Sequence, residues 1–396
     1  MNKKFLIIIG AVAVALSIII PVSVFLAKDY SIDVWDGTAG KLGEISNNQL
    51  VINNAEEFAG FAKSVNEGKD YAGITIKLAK DINLKEKTWT PIGLGSRSDL
   101  DSAKMFSGIF DGQGHTIKGL SNNGYNPEFK DIEDTYVVQD NSPVYTYNFG
   151  LFGMVKNATI KNVNVVANIN CDDEKLKGDS VGALVGFSAG ALTMDNCSVS
   201  GQINGGFDAV GGLVGRAYKS VSENRILITN CTNSANVKGA FKVAGILGYM
   251  SSTTLYATID NCVNNGNITV TGAGYTRSAN NASSFVAGIA LFGFNGDSNT
   301  LIITNNKNTG NIISTPTATT NANHSLAFIA TNCYKNFKDG YNYNFKNNEN
   351  VVDAEKQTGL AYDLGEVVTG ILNVSLNQSY YPSRLGVEAN NLKNID

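Results

Sequence analysis

The apolar, glycine-rich word VGALVG at 181–186 returns as VGGLVG at 210–215. Near-copies follow the same pattern: FGLFG at 149–153, AGILG at 244–248 and AGIALFG at 287–293. A chain that respells one short word at regular distances is building one structural unit many times. Repetition therefore constrains this fold more than any single motif does.

Each word is followed by a second one: TIKNVNVVANI (159–169), TMDNCSVSGQI (193–203), ITNCTNSANV (228–237), TIDNCVNNGNI (258–268) and ITNNKNTGNI (303–312). Aligned on their first Asn, these place Asn162, Asn196, Asn230, Asn261 and Asn305 in one column, at intervals of 34, 34, 31 and 44 residues. Val163, Cys197, Cys231, Cys262 and Asn306 come next, and Asn168, Gln202, Asn236, Asn267 and Asn311 sit five or six residues further on. A fixed chemical order with elastic spacing is the mark of stacked coils carrying loop insertions. The words are short, alternating and β-branched, which is strand language. The expected fold class is all-β, a right-handed parallel β-helix whose coils stack ~4.8 Å apart with like residues on like. Leu120, Val163, Cys197, Cys231 and Cys262 are expected to share one interior column. The glycines are expected to serve either positive φ or close backbone approach.

The ends read differently. AEEFAGFAKSVNEG (55–68) spaces Phe58, Phe61, Ala62 and Val65 as a helix face, with Asn53 or Asn54 as N-cap and Gly68 as a stop. A short helix there covers the open end of the first coil. Residues 5–27 are 23 apolar residues without charge, behind Lys3 and Lys4. That run reaches the ~20 residues a membrane helix needs, so an N-terminal membrane anchor or a cleaved signal peptide is expected, with the remainder outside the cell. The resulting divisions are an anchor or signal over 1–27, a linker over 28–49, a capping helix within 50–69, a β-helix over 70–350 interrupted at 121–148, and a C-terminal cap over 351–396. A chain of 396 residues exceeds the ~250–300 at which one rounded core stops growing, and a solenoid escapes that limit by lengthening.

The sequence KLAKDINL, TWTPIG, FSGIFDGQGHTIKGL, then FGLFG and repeated VGGLVG with a following NC, resembles the GLUG-motif repeat family over roughly 50–315. The resemblance implies a right-handed parallel β-helix on bacterial surface or secreted proteins, some of them non-catalytic regions of IgA-protease-like enzymes and of adhesins. It carries over no catalytic residue.

Candidate chemistry is sparse. Charged residues make up 17% of the chain and the net charge is −4, so no basic stripe exists to neutralise phosphates and no nucleic-acid partner is expected. The column of Cys197, Cys231 and Cys262 lacks CxxC or His spacing, which favours inward free thiols over a metal. Cys171 and Cys333 lie outside it, with Cys171 expected at the surface. His115, beside Asp111, reads as a turn residue. Between 185 and 300 the carboxylates are few, and Asp195 and Asp260 fall in one repeat column as a surface ladder. HExxH and phosphate-binding loops are absent. The expectation is therefore a non-enzymatic protein without metal or cofactor. Its role would be adhesion or surface display, with a spacer or self-assembling component, or a polysaccharide lyase or hydrolase, as alternatives. Ligand contacts are expected from aromatic insertions: Tyr125, Phe129, Tyr136, Tyr145 and Tyr147 in 121–148 suit sugar rings or a cell-surface protein partner. The oligomeric state is left open.

Overall fold

A computed structural model describes residues 33–122, 135–137, 143–172, 176–206, 208–218, 225–271, 283–314, 323–327, 329–332, 342–344, 347–350 and 373–375. The apolar run at 5–27 lies outside these residues. No helix among those described is long and apolar enough to cross a membrane. The expected attachment through an N-terminal helix is corrected on that finding.

The described chain is dominated by parallel strands in three sheets, none closed into a barrel, with one helix. A typical coil adds a strand to the third sheet (Leu176–Gly182), one or two to the second (Val185–Ala189, Leu192–Asp195) and one to the first (Ser198–Gly205). The next coil repeats the order in register: Ser180 pairs with Ala209, Val185 with Val214, Met194 with Ile228 and Ile203 with Val237. The axis of growth is thus the hydrogen-bonding direction of all three sheets.

The glycine word lies at the corner between the third and second sheets, rather than inside one strand. Its first Val (Val181, Val210, Val243, Val286) closes the third-sheet strand and points into the core, as does the Leu or Ile at the bend. The glycines there serve close approach. A Cβ on Gly211 would stand 1.9 Å from the Val214 carbonyl oxygen, and one on Gly212 2.1 Å from that of Gly245. Positive φ falls instead on the Asn column: Asn162, Asn196, Asn230, Asn261 and Asn305 have φ of 52 to 55°. Asn tolerates the left-handed region better than other residues with a Cβ, so it turns the chain from the second sheet into the first. Its amides then link coil to coil, Asn196 Nδ2 donating to Asn162 Oδ1 at 2.9 Å and Asn261 Nδ2 to Asn230 Oδ1 at 2.8 Å.

The interior column needs one correction. Val163, Cys197, Cys231 and Cys262 do stack and are buried, but the residue of the preceding coil in that column is His115. Leu120 is buried opposite Ala167, because Gly119 at φ 73° adds a bulge that shifts the pairing.

The helix, α1, spans Ala55–Asn66. Asn54 accepts a hydrogen bond from the Glu57 amide at 2.7 Å, and the Glu57 carboxylate returns to the amide of Asn53 at 2.8 Å. This reciprocal arrangement is close to a capping box. The buried face of α1 meets an aromatic group: Phe58 stacks on Trp89 at 5.2 Å, and Phe61 meets Phe106 edge-on at 5.6 Å.

Candidate functional site

Two features of the stack carry its polar chemistry, one buried and one exposed. One is a charged seam along the corner between the third and second sheets. Strand alternation sends Val181 and Val210 inward, leaving Ser180, Ala209, Lys242 and Phe285 on the outside of the third sheet. Met154, Phe187, Arg216 and Tyr249 form the corresponding outside column of the second. The glycine corner brings the two columns face to face. Tyr249 packs with Ala209, Phe285 and Leu291, while Met154 and Phe187 pack with Met105.

Arg216 occupies the middle of this seam and is 5% exposed. It donates to Asp208 and to the Ser180 hydroxyl at 3.3 Å, and its Nε lies 3.9 Å from Asp179. Lys242 pairs with Asp208 from the next coil, and Arg97 reaches Asp179 at 3.5 Å from the segment that precedes Phe106. The Tyr249 ring receives both cations on its face, at 5.0 Å for Arg216 and 4.7 Å for Lys242. Burial works to discharge the Arg216 guanidinium, but Asp208, Asp179 and Tyr249 outweigh it and hold it more firmly protonated than usual. Asp179 Oδ1 and Asn148 Oδ1 are buried with no hydrogen-bond partner among the described residues. Nothing in the sequence reading singled out Asp179, Asp208 or Arg216 as a group. Their one signal is that each stands next to a repeated word.

The other feature is the outer face of the first sheet. Val166, Ser200, Ser234, Asn265 and Thr309 form one outward row, and Asn168, Gln202, Asn236, Asn267 and Asn311 form the next. The side chains partly satisfy one another along the axis: Asn204 Nδ2 donates to Asn170 Oδ1 at 2.7 Å, and the Thr309 hydroxyl to Asn265 Oδ1 at 2.8 Å. Behind this face, Asn233, Asn264 and Asn308 make a fully buried ladder, each Nδ2 also donating to the carbonyl two residues on.

The residues singled out from the sequence are placed as follows. Tyr125 and Phe129 lie outside the described residues. Tyr136 and Tyr145 sit on antiparallel strands, Thr135–Val137 and Pro143–Phe149, that begin the third sheet. Tyr147 is buried edge-on against Phe149, so it faces the core rather than a partner. Cys171, expected at the surface, is 1% exposed, and burial pushes its thiol up to about 12. Cys333 lies outside the described residues. His115 binds Asp81 at 2.9 Å rather than its neighbour Asp111, which accepts from Asn162 instead. Asp195 accepts from Thr229 and Asn230, both at 2.7 Å, and Asp260 from Thr304 and Asn305, so both carboxylates belong to ladders. Among the described residues no three His, Cys, Asp or Glu side chains are grouped to hold a metal ion.

No family model and no curated protein matches the chain. A solved structure described as a putative immunoglobulin A1 protease from Bacteroides ovatus is 17% identical, covering 72% of this chain and 84% of that one at a TM-score of 0.41. The expectation of a non-enzymatic protein is corrected on this finding, since a neighbour described as a protease stands against it. At that identity and TM-score the likeness assigns no activity to this chain.

Proposed function

We propose that the chain is a right-handed β-helix built from GLUG-type repeats, and that it serves adhesion or display by presenting a rigid surface to a partner. The observation that carries this reading is the outer face of the first sheet. There, five successive coils hold amide and hydroxyl side chains in register, and no described element covers them. Side chains fixed by their own ladder bonds lose little freedom on binding, which favours association. The insertion over 121–148, with Tyr125, Phe129, Tyr136 and Tyr145, is proposed as a second contact.

The test is a binding screen of the purified chain against immobilised polysaccharides and cell-surface proteins, beside a variant lacking residues 123–134. Saturable binding to at least one probe is expected. A chain that binds none of them, yet associates laterally or end to end at rising concentration, would instead be a self-assembling component.

A further inference from the structure

We infer that the outer face of the first sheet binds an uncharged, linear polysaccharide lying along the stacking axis; this rests on the proposal that the chain is a binding scaffold. Charge complementarity selects the occupant. From Asn164 to Ile313, the charged side chains on the outward positions of this face are Lys238 and Lys307. A nucleic acid or sulfated glycan needs a row of cations to replace its counterions. A protein partner wants buried aromatic and aliphatic anchors at the centre of its footprint. This face offers no aromatic ring, and its apolar outward residues are the separated Val166, Val263 and Ile313.

What the face does offer is a lattice of donors and acceptors. An amide carries two donors and an acceptor, and a hydroxyl carries both kinds. The ladder bonds along the axis use part of this capacity. Asn267 Oδ1 accepts from the Asn311 amide, and Asn236 Oδ1 from the Asn267 amide, on a row whose residues hold outward positions. A neutral sugar chain presents the matching set, alternating hydroxyl donors and acceptors without charge. The repeat also matches. Coils recur at the ~4.8 Å strand spacing, close to the rise of one extended pyranose unit, so each sugar meets one coil. The rows then act as parallel binding lines, and affinity grows with the number of sugars engaged.

The experiment is a pull-down of the full chain by insoluble cellulose, chitin and β-1,3-glucan, with heparin and double-stranded DNA beads as charged comparators. Ser200→Lys with Ser234→Lys places two cations on the central row. Thr193→Lys with Thr258→Lys places the same charges on the outer face of the second sheet. A third variant, Asn168→Ala with Gln202→Ala, removes amides without adding charge, and thermal melting confirms that each variant folds. The expected result is retention on a neutral polysaccharide, reduced at least tenfold by the Ser200/Ser234 pair and by the Asn168/Gln202 pair, and unchanged by the Thr193/Thr258 pair. Retention unaffected by both first-sheet pairs would overturn the assignment of the face while leaving the scaffold reading intact. Preference for heparin or DNA would overturn the uncharged ligand. Binding to a protein partner alone would overturn the polysaccharide only, and binding to nothing would overturn both readings.

Discussion

The N-terminal end and the later coils solve the same packing problem with different chemistry. At the N-terminal end, Phe58, Phe61, Trp89, Phe106, Phe110 and Phe152 interlock edge-on and stacked, and α1 contributes two of these rings. From Ala158 onward the interior is built of columns, aliphatic ones such as Ile160, Met194, Ile228 and Ile259, and polar ones such as Asn233, Asn264 and Asn308. In the first arrangement the rings meet by shape, although Phe110 and Phe152 still stand in the columns of Ile160 and Val185. The second depends on register, since a ladder amide is satisfied only if the amide one coil away sits at the same height. An end must stop stacking and a middle must continue it, and the two chemistries suit those tasks.

The largest expected effect lies at the aromatic end. Phe61→Ala removes a fully buried ring in contact with four others. It should cost about 3–5 kcal/mol, read as a lowered urea midpoint. Asn264→Ala comes next. It strips an acceptor from Asn233 Nδ2 and a donor from Asn308, leaving buried polar groups on both neighbours at about 1–3 kcal/mol each. If register is what holds the coils, this loss should shorten the cooperative unit and broaden the melting transition, whereas Phe61→Ala should shift the transition without broadening it. Equal broadening by both variants would remove the distinction.

What could be read from the sequence follows the same division. The Asn column, the Cys column and the column of Asn168 to Asn311 were legible, because a register-dependent structure repeats its chemistry; that the Asn column, and not the glycine word, carries the positive φ was not. The helix was legible from the spacing of Phe58, Phe61 and Val65. The Leu120 position was not: Leu120 pairs with Ala167 across the bulge at Gly119, and the place before Val163 in the column falls to His115. The seam was also hidden. Arg216 meets Asp179 and Asp208 through a corner, at separations that no periodicity marks, and Arg97 arrives from outside the repeat. His115 was assigned to its sequence neighbour because Asp81, 34 residues away, joins it only once the coils stack.

A smaller effect separates conformation from ladder at the turn. Asn230→Ala must place a Cβ-bearing residue without a helpful amide at φ 54°, at about 1–2 kcal/mol, and loses the bonds to Asp195 and Asn261 as well. Asn230→Gly keeps the backbone free and loses only those exposed bonds, so it should cost less than the Ala variant. The ordering Ala worse than Gly, measured by urea titration, checks that the backbone and not the ladder dominates at this position.

The smallest effect is expected in the Cys column, where the chemistry looks most special and matters least. Cys231 is buried between Cys197 and Cys262, and the column accepts Val163 one coil before Cys197. Cys231→Val exchanges a small apolar group for another of similar volume and should change stability by less than about 1.5 kcal/mol. Burial also raises the Cys197 and Cys262 thiols, as it raises Cys171, so these groups stay protonated well above neutrality. The folded chain should therefore resist alkylation by iodoacetamide at Cys171, Cys197 and Cys262 up to pH 9, and the same cysteines should react at once in 8 M urea. Rapid alkylation of Cys197 in the folded state would show that the coils part locally, and would place register, rather than shape, as the weaker of the two ways this chain holds itself together.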